Sequence, residues 1–153
     1  MKQKSFRVAE KFWVFWKGIL DALHDDDACI VVEGVNDMHI LLNLLVPRDR
    51  IVIIGDMPVN RVAEEISRRY RIAYIFTDLD RAGELKASRL RIFLQDYGVR
   101  VIDLRRCFLR VLNRFGFKSL GKIEELKRFS LLLPRPNRII LGGLKKKITV
   151  SYQ

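Results

Sequence analysis

Glu33, Asp78 and Asp80 are the residues of this chain whose types and spacing best suit chemistry. Each stands just past an apolar, β-branched run. Ala28-Cys29-Ile30-Val31-Val32 ends in Glu33-Gly34-Val35-Asn36-Asp37, and Ile75-Phe76 runs into Thr77-Asp78-Leu79-Asp80-Arg81-Ala82-Gly83-Glu84. Short runs of this kind read as buried strands. Two such strands can bring their terminal carboxylates to one edge of a sheet. A carboxylate cluster there suits a hard divalent cation, Mg²⁺ or Mn²⁺, which takes oxygen ligands. The competing reading is turn chemistry, because aspartate readily closes strands and opens helices.

The elements that must position these acids follow from the pattern. Residues 28–32 read as a strand and 37–45 as a helix stopped before Pro47. Residues 51–54 read as a second strand, ending at Gly55-Asp56. Pro58 and Asn60 open a helix that runs to about Tyr70. Residues 72–76 form a third strand, 83–97 a helix ended by Gly98, and 99–102 a fourth strand. Strands that alternate with helices predict an α/β fold, a four-stranded parallel sheet flanked by helices. Ligands of such sheets bind beyond the carboxyl ends of the strands. Glu33, Gly55-Asp56, Asp78 and Asp80 all fall there.

Both flanks of this core differ from it. Phe6, Ala9, Trp13, Trp16, Leu20 and Leu23 draw an apolar stripe on an N-terminal amphipathic helix, a pattern that belongs to core packing or to a protein interface. Asp25-Asp26-Asp27 then makes a solvated turn. At the other end, residues 105–153 hold thirteen Lys or Arg against two acids, which is the entire formal excess of +11. Such segregation points to a polyanion, because Lys and Arg displace counterions condensed on phosphates. Arg105, Arg106, Arg110 and Lys145-Lys146-Lys147 are the candidate contacts. This third reads as helices over 107–115 and 119–129, then a small hairpin using 139–141 and 148–150. The organisation is thus an N-terminal helix (1–27), a core (28–104) and a basic C-terminal extension (105–153).

Composition narrows the setting. No apolar run reaches the roughly 20 residues a bilayer span needs, so no membrane partner is expected. The N-terminus lacks the cleavage site of a signal peptide. Two cysteines suggest neither a disulfide framework nor a four-cysteine zinc site, and fit a reducing, cytoplasmic location. His24 and His39 are isolated and read as structural.

Val32-Glu33-Gly34-x-x-Asp37 followed by Thr77-Asp78-x-Asp80-x-x-Gly83-Glu84 resembles the Toprim domain, the catalytic module shared by topoisomerases, bacterial-type primases and several nucleases. The resemblance covers roughly residues 28–104. The small size and the Glu-Gly-x-x-Asp form are similar to the 5S ribosomal RNA maturases and to compact archaeal Toprim proteins. Val35 stands where the maturase pattern often has Lys. The resemblance implies that Asp78 and Asp80 hold Mg²⁺, and that Glu33 acts as a general acid/base or a further ligand. It implies that Gly34 and Gly83 allow close backbone approach. Arg81 and Lys86 lie beside the acids as phosphate contacts. Asp37 and Asp56 are second-rank candidates, with Asp37 also able to cap the helix after it. The expected function is Mg²⁺-dependent cleavage of nucleic acid, RNA ahead of DNA, with nuclease or nucleotidyl-transfer activity. The alternatives are a non-catalytic nucleic-acid-binding subunit of a larger complex and a primase-like fragment. In the former, the aromatic N-terminal helix would serve self-association or a protein partner.

Overall fold

The computed structural model describes residues 2–25, 27–78 and 80–107. In chain order the elements are α1 (Lys2–Asp25), β1 (Ala28–Val32), α2 (Val35–Asn43), a 3₁₀ turn (Arg48–Arg50), β2 (Ile51–Ile53), α3 (Val59–Arg69), β3 (Ile72–Ile75), α4 (Arg81–Asp96) and β4 (Arg100–Asp103). The four strands form one all-parallel sheet in the order β2-β1-β3-β4. The fold is therefore α/β, as the alternation predicts.

Strand side chains alternate between two faces, so each strand feeds two cores. Ala28, Ile30, Val32, Tyr74 and Phe76 pack against Trp16, Leu20 and Leu23 of α1 and Ile40 and Leu41 of α2. Cys29, Val31, Ala73 and Ile75 pack against Val62, Ala63 and Ile66 of α3 and Ala87, Leu90 and Leu94 of α4. All five β1 side chains are buried, as expected of a central strand covered on both sides. Burial pushes the Cys29 thiol up to about 12, with Arg50 and Arg69 pulling weakly the other way.

Of the described part of the aromatic stripe, Trp16, Leu20 and Leu23 are buried and Trp13 is partly buried against them. Trp16 is fully buried, its ring centroid is 6.3 Å from that of Phe76, and its Nε1–H donates to the Leu44 carbonyl at 2.7 Å. That bond ties α1 to the end of α2. The side chains of Phe6, Ala9 and Phe12 lie outside the described residues, as do the two C-terminal helices and the hairpin expected beyond 107.

Several boundaries differ from expectation, each for a local reason. α2 starts at Val35, two residues early, because extended Gly34 is its N-cap. α4 starts at Arg81, because Asp80 rather than a later residue caps it. β4 continues through Asp103, which pairs with Ile75.

The topology reverses inside the sheet. From β1 the chain passes through α2 to β2 on one side. From β3 it passes through α4 to β4 on the other side. α2 and α4 also lie on opposite faces. The crevice between the carboxyl ends of β1 and β3 is thus a switch point, the place where such sheets bind ligands.

Candidate functional site

The residues at this switch point are Glu33 after β1 and Asp78 after β3. Val31 is level with Ile75, and the Phe76 N–H donates to the Val31 carbonyl at 2.9 Å. Continuing that register sets Glu33 beside Thr77 and Asp78. The loop after β2 joins them. The Ile54 N–H donates to the Val32 carbonyl and the Gly55 N–H to the Glu33 carbonyl, both at 2.9 Å. Gly55 has φ of +54°, a left-handed conformation that favours glycine and turns the chain toward Asp56. An open cleft of about 430 Å³ results, lined by Glu33, Asp37, Asp56, Asp78 and Lys86 among others. It holds four carboxylates and one amine.

Gly83 closes the site from the α4 side. A Cβ on Gly83 would collide with the Asp78 carbonyl and lie 2.7 Å from Glu33 Oε1. The first turn of α4 therefore sits directly on the end of β3 with the Glu33 carboxyl beside it, and only glycine permits that approach. Thr77 reinforces the join: it is buried, and its hydroxyl donates to the Gly83 carbonyl at 3.2 Å. Thr77 has no assigned role in the sequence reading. Its place just before the Asp-x-Asp pair was the available signal.

Glu33 is electrostatically strained. Its Oε1 is buried with no hydrogen-bond partner. Its pKa is raised, first by burial and then by the charge of Asp78, with smaller contributions from Asp80 and Asp37; Lys86 opposes them. Glu33 thus feels the charges of Asp78, Lys86, Asp80 and Asp37.

The other predicted residues divide. Asp80 Oδ1 accepts the Gly83 N–H at 2.7 Å, so Asp80 is the N-cap of α4 and one of its oxygens is engaged. Asp37 is not the first cap of α2; it is the third residue of the helix, and its Oδ2 accepts the Gly34 N–H at 3.1 Å. Lys86 lines the cleft, whereas Arg81 is exposed and outside the lining. Arg110 and Lys145–Lys147 lie outside the described residues.

Arg105 requires a correction. Expected as a surface contact for nucleic acid, it is only 3% exposed. Its guanidinium grips Asp103 through two bonds of 3.0 and 2.9 Å and reaches Glu84 at 3.2 Å. Burial would raise the Asp103 pKa, but the hydrogen bonds and charge of Arg105, helped by the Arg106 backbone and by Arg91, bring it below the ordinary value. Arg105 therefore fastens the end of β4 to the first turn of α4. Arg106 is exposed, with Nε 3.6 Å from Asp103.

The donor set is all oxygen, which suits Mg²⁺ or Mn²⁺. Among the described residues, no three His, Cys, Asp or Glu side chains converge closely enough to hold a metal ion. The residues fit a cation held by one or two carboxylates, with water and substrate phosphate completing its shell.

Comparison with known proteins adds a family. A UPF0292 protein of Pyrococcus abyssi is 36% identical over 118 residues, covering 77% of this chain and 87% of the relative. One from Thermococcus gammatolerans is 35% identical over 109 residues, covering 71% and 77%. The chain belongs to the UPF0292 family. A third UPF0292 protein, from Thermococcus kodakarensis, is 33% identical over 127 residues and covers 83% of this chain and 92% of its own. No protein-family model matches the chain. Among solved structures, a putative protein from Aquifex aeolicus superposes with a TM-score of 0.56 at 22% identity, over 71% of this chain and 94% of that one. That likeness concerns the fold. The UPF0292 alignments run well beyond the sheet's 76 residues between Ala28 and Asp103, so family membership is carried by most of the chain.

Among the described residues, no helix is long and apolar enough to cross a membrane.

Proposed function

We propose that this UPF0292 protein is a Toprim-type, divalent-metal-dependent enzyme that cleaves phosphodiester bonds of nucleic acid, with RNA the preferred substrate. The observation that carries the reading is the meeting of Glu33 and Asp78 at the switch point, with Gly83 stripped of a side chain to admit them. A cleft with four carboxylates repels a phosphodiester unless a cation intervenes. Asp78 would hold Mg²⁺ or Mn²⁺, with Asp80 reaching it through water and Glu33 left free for proton transfer. The bound ion would supply polarisation of the scissile phosphate and stabilisation of charge on the leaving oxygen. Lys86 on the cleft wall orients the phosphate. Glu33, next to the reacting phosphate, exchanges a proton with the attacking water or the leaving oxygen. The basic residues of 106–153 attract the polyanion.

The capping bonds of Asp80 and Asp37 favour a second reading, a nucleic-acid-binding subunit whose acids are structural. A cleavage screen over total RNA, structured RNA and single- and double-stranded DNA, with Mg²⁺, Mn²⁺ or EDTA, separates the two. Metal-dependent cleavage that disappears in Asp78→Asn supports the enzyme. Binding with no cleavage of any substrate gives the subunit reading precedence.

A further inference from the structure

The opposite rim of the sheet carries a second cleft, of about 330 Å³, at the amino ends of the strands. It is built where α3 and α4 end and β1, β3 and β4 begin. Its lining includes Asp27, Arg68, Arg69, Arg71 and Tyr97. The backbone there is firmly held. The Arg71 and Ile72 N–H groups donate to the Asp27 carbonyl, and the Arg100 N–H donates to the Arg71 carbonyl at 2.9 Å. Gly98, with φ of +79°, turns the chain out of α4, and the Val99 N–H closes onto the Leu94 carbonyl at 2.9 Å.

Part of the positive charge has a structural purpose. Arg68 and Arg69 lie in the last turn of α3, where cations offset the carbonyl end of the helix. Arg68 also pairs with Glu64 at 2.8 Å. That account does not reach Arg71, which follows the helix and is exposed. Nor does it reach Tyr97, an aromatic left 50% exposed at the C-cap of α4. Among the described residues, no ion pair involves Arg69 or Arg71. Arg69 is instead stacked over the Tyr70 ring, 5.3 Å from its centroid, which holds its guanidinium in place.

Two arginines without an acidic partner beside an exposed aromatic ring form the combination that holds single-stranded nucleic acid: cations along the phosphates and a ring on which a base stacks. We infer that the amino-edge cleft is a second nucleic-acid site, in which Arg69 and Arg71 contact backbone phosphates and Tyr97 stacks a base. The site would grip a single strand on the rim away from the acids. The inference rests on the nucleic-acid partner of the proposed function, not on its metal chemistry.

The test uses the full chain in EDTA, with a fluorescein-labelled single-stranded 20-mer RNA read by anisotropy over a salt series. Arg69→Gln with Arg71→Gln should weaken binding about tenfold or more and reduce the salt slope by about 1.4, the value for two phosphates on a single strand. Arg71→Lys should retain the slope. Tyr97→Ala should weaken binding roughly five- to a hundredfold with the slope unchanged, while Tyr97→Phe should bind as wild type. Arg71→Gln alone, on an exposed side chain, guards against misfolding of the double variant, and thermal melts accompany each protein. Unchanged affinity and slope in Arg71→Gln and Tyr97→Ala would overturn the inference. So would inorganic pyrophosphate binding that depends on Arg71 while the RNA does not, since the site would then serve free phosphate. Absence of cleavage leaves this assay untouched, and a negative result here leaves the cleavage screen untouched, so the two readings fail separately.

Discussion

At the carboxyl ends of the strands the chain gathers Glu33, Asp37, Asp56 and Asp78 round one lysine; at the amino ends it gathers Arg68, Arg69 and Arg71 round one aspartate. The two rims are separated only by strands of three to five residues, on the order of 15 Å. Both are built from the same parts, strand ends and helix ends. They differ in which helix end faces the cleft. The acidic rim meets helix N-termini, where Asp80 and Asp37 can occupy free N–H groups, and the basic rim meets helix C-termini, where arginine is favoured. Helix polarity therefore accounts for much of the charge on each rim. What it leaves over is the informative part: the partnerless Glu33 Oε1 on one rim, and Arg71 and Tyr97 on the other.

The contrast can be broken most sharply at the acids. Asp78→Asn combined with Asp80→Asn should lower metal-dependent cleavage at least about a hundredfold while nucleic-acid binding is kept or strengthened. Cleavage rates and anisotropy on the same preparation check this. Equal loss of both would mean that the acids serve folding.

The next largest effect concerns Arg105, a buried cation at the carboxyl end of β4. Asp103→Asn leaves Arg105 without its principal partner and should cost about 3 kcal/mol at pH 7. The folded pKa of Asp103 is depressed, so its contribution is present above its ordinary value of 3.8 and is lost as pH falls through the lower, folded value. Urea melts of the two proteins should accordingly draw together as pH falls below 3.8 and meet only below the folded value. A gap that persists in acid would show that packing, not charge, carries the effect.

Gly83→Ala should destabilise by about 2 kcal/mol, since the new methyl collides with the backbone at Asp78 and must push α4 off the end of β3. Cleavage should fall with it, as Glu33 is displaced. Wild-type stability in that variant would remove the close approach from the argument.

The smallest effect has the opposite sign. The Glu33 pKa is raised, so the protein loses stability as pH rises from the ordinary value of 4.5 through the folded one. In metal-free protein, Glu33→Gln should relieve this and gain less than about 1 kcal/mol at pH 7, with no gain at pH 4. Thermal melts at the two values decide it.

How much of this was legible depended on whether the signal was local. The strand 28–32 stands where its β-branched run places it, and the acids follow because strand ends are marked by the loss of apolar residues. Asp80 was visible as an acid but not as a cap, because a cap is defined by the N–H it receives. Arg105 departs from its expected surface role for a related reason. Beside Arg106 in a basic stretch it is indistinguishable from a surface cation, and only Glu84, twenty-one residues earlier, and Asp103 reveal that it is buried. The amino-edge cleft left no trace in the sequence, since Arg71 and Tyr97 are separated by β3 and the whole of α4 and carry no motif.

Cys29 is the second residue of β1, fully buried on the face covered by α3 and α4, with its thiol held at about 12. A thiolate is the reactive species, so alkylating reagents reach this sulfur only when the strands part. The wild-type chain thus contains its own clock for sheet opening: the labelling rate of Cys29 measures how often the central strand is laid bare. Slower labelling when RNA or metal is added would register binding at either rim without any attached probe.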